Sequence, residues 1–172
     1  PNHCLPFSSF RFQASPSSMP HIPGLRSPYA KLGRHVYLGR MLDKIRLHAA
    51  GQLPADYVAN LGDTGEPSMF DARCCRFLGV RYADIAARVL AGASDEAVLA
   101  WIGEAGARRT DEECEIWNVF MGKRGWRDAA ASRLQMRIEQ SGLAGKPILT
   151  MFDFLDYDEG RENAAERPWE KI

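Results

Sequence analysis

Apolar residues recur with a helical period from about residue 32 onward. Leu38, Met41, Leu42, Ile45 and Ala49 form one stripe, which Gly51 closes ahead of Leu53 and Pro54, and they predict a first helix. Residues 56–65 are ambiguous, with Gly62, Gly65 and Pro67 marking a loop. Phe70, Cys74, Phe77 and Leu78 predict a second helix, with Asp71 placed to cap it and Gly79 to end it. Tyr82, Ile85, Ala86, Val89 and Leu90 give a third, stopped by Gly92; Ser94 caps a fourth, in which Val98, Trp101 and Ile102 share a face. Thr110 and Glu113 form a capping box. The helix they open has Ile116, Trp117, Phe120 and Met121 as its apolar face and closes at Lys123, Arg124 and Gly125. Asp128 is placed to cap a helix bearing Ala131, Leu134 and Ile138, and Ile148, Met151, Phe152 and Leu155 form a last amphipathic set before a polar tail. No segment alternates with period two, so the chain reads as all-α, a compact single domain of six or seven short helices without an internal repeat.

The polar side of the first helix changes this bland picture. Opposite its apolar stripe lie Arg40, Asp43 and Lys44, with Arg46 at the edge, and Gly39 stands among them although glycine costs a helix about 1 kcal/mol relative to alanine. Something is expected to approach closely there. Arg40 and Lys44 beside one carboxylate are suited to a phosphate or carboxylate ligand. A solvated face with weak i, i+3 ion pairs would account for the same charges. A second basic cluster, Lys123, Arg124, Trp126 and Arg127, precedes Asp128 between two helices, and can receive an anion or stack a planar group. Helix termination alone also explains it. If both clusters serve one site, they must converge in the fold.

Composition excludes several classes. Lys plus Arg and Asp plus Glu number 22 each, so no overall field draws the chain to nucleic acid or an anionic membrane. No apolar run approaches the roughly 20 residues of a membrane helix. Helix-turn-helix binding of nucleic acid is disfavoured, since the candidate recognition helices open on Ser94-Asp95-Glu96 and Thr110-Asp111-Glu112. Cys4, Cys74, Cys75 and Cys114 include no CxxC pair and read as free, buried thiols in a reducing cytoplasm. No metal and no cofactor is called for. Asp156, Asp158 and Gly160 faintly suggest a calcium loop, but Arg161 and Arg167 stand where glycine and glutamate are needed, and the four histidines are dispersed. Residues 1–28 hold six of the ten prolines and no acid. This gives a lead over residues 1–23, disordered or ahead of a true start at Met19, then a helical domain over 24–161 and a polar tail over 162–172.

Lys31-Leu32-Gly33, residues 39–46, Leu53-Pro54, residues 76–80, Glu115-Ile116-Trp117-Asn118, residues 123–128 and Asp158-Glu159-Gly160-Arg161, taken in order, resemble a family of small bacterial proteins catalogued as domain of unknown function 5069. The resemblance runs from about Leu25 to Arg161 and implies a compact domain, with no activity, cofactor or catalytic residue to carry over. The function expected from the residues is a non-catalytic module that binds a small anionic ligand or an acidic protein surface. The alternative is an enzyme using Asp43 and Lys44 as an acid and base pair beside Arg40.

Overall fold

The computed structural model describes residues 21–161, and the expectations that concern residues 1–20 and 162–172 fall outside them. The described chain runs β1 (Lys31–Leu32), β2 (His35–Val36), α1 (Leu38–Ala49), α2 (Ala55–Val58), α3 (Phe70–Leu78), α4 (Tyr82–Leu90), α5 (Asp95–Ala105), α6 (Asp111–Gly122), α7 (Ala131–Gln140) and α8 (Met151–Asp158). The helical class holds, with two additions. One is α2, a single turn that begins one residue ahead of the segment read as ambiguous. The other is the antiparallel pair of β1 and β2, in register Lys31 to Val36 and Leu32 to His35, whose two-residue strands are too short to leave a period in the sequence.

Local chemistry fixes the helix ends. Ser94 accepts from the Ala97 amide, and Thr110 and Glu113 exchange the paired bonds of a capping box. Thr150 and Asp153 form a second box at the start of α8. Asp71, expected to cap α3, lies inside that helix; Met69 is at the cap position, and the Asp71 carboxylate turns into the protein.

The main core gathers around α1. Leu38, Met41, Leu42 and Ile45 pack with Ile85 and Val89 of α4, Val98 and Ile102 of α5, Trp117 and Met121 of α6 and Phe152 of α8. A second cluster joins Leu134 and Ile138 of α7 to Phe154 and Tyr157, so α8 belongs to both. A third places Ile22 and Leu25 against Leu47 and Leu53, so packing begins two residues ahead of the domain boundary expected at residue 24. Among the described residues, no helix is long and apolar enough to cross a membrane.

Candidate functional site

The charged side of α1 faces inward. Every residue from His35 to Ile45 is buried, because the first described segment and α8 cover the face that would otherwise meet water. Arg40 is held by both carboxylate oxygens of Glu159 and donates to the Arg26 carbonyl oxygen at 2.8 Å. Arg161 also pairs with Glu159, and the Tyr57 hydroxyl donates to it at 2.8 Å. Burial alone would raise the Glu159 carboxyl, but the Arg40 and Arg161 charges outweigh it and hold the group below its ordinary range.

Lys44 donates to Asp71 at 2.6 Å and to the Tyr37 hydroxyl at 3.1 Å, and burial pulls its ammonium below the ordinary lysine range against the pull of Asp71. Asp43 accepts from Arg26 through Nε and Nη2, both at 2.7 Å. Asp43 and Lys44 thus serve different partners, and no acid and base pair forms between them. Arg26 also explains Gly39: a Cβ there would lie 2.8 Å from the Arg26 Cζ, and Arg26 donates to the Gly39 carbonyl oxygen at 3.0 Å. The close approach read from the sequence is made by the chain's own guanidinium.

The two basic clusters do not converge. Arg40 meets Glu159 just beyond the C-terminal end of α8, whereas the Arg124 carbonyl oxygen accepts from the Met151 amide at its first residue, at 2.7 Å. Eight residues of helix, about 12 Å, separate the two points of attachment.

The second cluster is outward. Lys123 and Arg127 lie over the exposed Trp126 ring, 5.7 and 5.2 Å from its centroid. Arg124 pairs with Asp128 at 2.5 Å and lies 5.6 Å from the Phe120 ring, and Arg73 of α3 approaches the same ring at 5.4 Å. Asp128 accepts from the Gly125 and Ala130 amides and so orders the turn ahead of α7, but it does not cap that helix as expected: Ala130 holds the cap position, with no side-chain cap bond.

The face of α6 beside this turn departs from its predicted role. Ile116, Trp117, Phe120 and Met121 span about 140° of the helix. Only Trp117 and Met121, with Cys114, enter the core; Ile116 is 62% exposed, Val119 49% and Phe120 41%. With Lys123 these three fall within about 100° of one another, so they form one continuous outer strip. The sequence reading missed Arg73 and Val119. The apolar positions 116, 119 and 120, with Lys123 on the same side, were legible as a stripe, but Arg73 reaches it from another helix and left no local signal.

A family model for a domain of unknown function, DUF5069, matches residues 22–161, which is most of the chain. The chain belongs to the DUF5069 family. The match starts at Ile22, the first residue of the third apolar cluster, and ends at Arg161, which pairs with Glu159, so the DUF5069 domain coincides with the packed body. No curated protein matches this DUF5069 chain.

The thiols of the described chain belong to the core. Among the described residues, Cys74, Cys75 and Cys114 are free and buried, and burial pushes the Cys75 thiol up to about 12. No group of three His, Cys, Asp or Glu among the described residues is arranged to hold a metal ion.

Proposed function

We propose that this chain is a non-catalytic docking module whose α6 face and 123–127 turn receive an acidic, amphipathic segment of a partner protein. The observation that carries the reading is the coincidence of Ile116, Val119, Phe120 and Trp126, all exposed, with cations on their margin: Arg73 and Arg124 over Phe120, Lys123 and Arg127 over Trp126. An aromatic and aliphatic centre with a charged rim is the anatomy of a protein interface, where aromatic anchors carry most of the affinity. The rim selects the sign of the partner. Burial, and then repulsion from Arg124 and Arg76, lowers the Arg73 guanidinium, and an arriving carboxylate relieves that repulsion. Arg40, Lys44 and Arg46 of α1 take no part, since Glu159, Asp71 and Asp95 already pair with them.

The test is calorimetric titration with a helical peptide bearing leucines at i, i+3, i+4 and i+7 and glutamates elsewhere, beside a version with lysines in place of the glutamates. Saturable binding of the acidic peptide, weakened by salt, absent for the basic one and lost in Val119→Asp, is expected. Equal binding of both peptides, indifference to Val119→Asp, or self-association of the chain through α6 in sedimentation would each refute the reading.

A further inference from the structure

Away from α6, a cleft of about 430 Å³ opens between the β1–β2 turn, the second half of α5 and residues 107–109. This is the size of a small-molecule site. We infer that it binds a small organic oxyanion, a phosphomonoester or carboxylate borne on a compact apolar body.

Three arginines line it. Arg109 is fixed by its Nε bond to the Phe77 carbonyl oxygen at 2.9 Å, by Glu113 at 3.1 Å and by the Phe77 ring at 4.9 Å. Arg34 donates to the Arg109 carbonyl oxygen at 3.0 Å and pairs with Asp111. Arg108 has no carboxylate partner among the described residues and is exposed. Three guanidinium groups against two carboxylates leave one positive charge at the cleft, and a guanidinium fork matches a planar or phosphate oxyanion. Leu99 and Ile102 supply an apolar wall for the rest of the ligand.

A second observation points to an occupant. Gly103 lies inside α5, on the cleft, and a Cβ at that position would meet nothing within 4 Å. Neither a left-handed turn nor a crowded neighbour asks for glycine there, and glycine weakens a helix more than any residue except proline. Gly103 is exposed and lines the cleft, and the lack of a side chain there leaves the cleft open beside Leu99 and Ile102. His35 also lines the cleft; its ring is buried, with Nε2 3.6 Å from the Cys114 Sγ and Nδ1 without a hydrogen-bond partner among the described residues.

The full chain titrated with phenyl phosphate, benzoate, benzyl alcohol and inorganic phosphate, followed by amide chemical shifts, tests this. Phenyl phosphate, benzoate or both should saturate with shifts at Gly33, Leu99 and Gly103, and the stronger of the two identifies the oxyanion. Benzyl alcohol should not bind, and inorganic phosphate should bind at least tenfold more weakly. Arg108→Ala should weaken binding at least tenfold with an unchanged melting temperature. Gly103→Leu should abolish binding while the melting temperature rises, a pairing that a purely structural role does not produce. Val119→Asp should leave binding intact, which separates this site from the α6 face. Absence of saturation by about 10 mM, binding by inorganic phosphate equal to that of phenyl phosphate, or full affinity in Arg108→Ala or Gly103→Leu would overturn the inference.

Discussion

Arg40 concentrates the energetics of this protein in one side chain. Its guanidinium is almost wholly buried, and burial opposes its charge, yet Glu159 more than compensates. Replacing one partner of such a pair strands the other in a poorly solvated site. Arg40→Ala is therefore expected to lose about 3–5 kcal/mol in urea denaturation, far beyond the 1 kcal/mol or less of an exposed arginine. A loss under about 1 kcal/mol would mean that Glu159 finds solvent or Arg161 suffices. Tyr37 shows the same density of constraint. Its backbone sits at φ 69, a left-handed conformation that a non-glycine residue adopts rarely. The hydroxyl donating to Asp71 at 2.9 Å and the ring stacked on Phe152 hold it there, at the turn that starts α1.

Within the elements, what could be read from the chain was what neighbours in sequence decide. The caps at Ser94 and Thr110 depend on an amide three residues away, and the glycine stop after α3 depends on one residue, Gly79 at φ 71. The inward charge of α1 was invisible, because its partners Asp71 and Glu159 lie 27 and 119 residues away. A charged helical face looks the same whether water or a distant carboxylate meets it. The turn of Lys123, Arg124, Trp126 and Arg127 was legible as a candidate site, whereas Arg73 was not, since only the fold brings α3 to α6. Gly39 tests this account. Alanine is the better helix former by about 1 kcal/mol, but its Cβ would displace the Arg26 guanidinium from Asp43 and the Gly39 carbonyl oxygen. Gly39→Ala should therefore lower the melting temperature, and an increase would show that Arg26 relocates freely.

Across the whole molecule, burial of acids makes stability depend on pH in two directions. Burial raises the Asp156 carboxyl to about 6, against the bond from Ser27 and the charge of Arg161. A group raised in the folded state contributes stability that is complete below its unfolded value and is lost as pH climbs through 6; Glu159, held low, contributes above its unfolded value and is lost on acidification. Asp156→Asn should match the parent chain near pH 4, separate from it as pH rises, and level off above 6 with a gain of up to about 3 kcal/mol. Thermal melts across that range check it, and a constant difference at all pH values would exclude the linkage. The same region has a topological consequence. Arg161, the last described residue, donates to the Leu25 carbonyl oxygen, and Ser27 donates to Asp156 at 2.9 Å. The two boundaries of the domain are thereby latched to each other, so the body closes like a ring. A ring of this kind can be seated in a loop of a host protein without forcing that loop apart, and its covalent opening can be moved elsewhere by joining residue 161 to residue 21 through a short bridge.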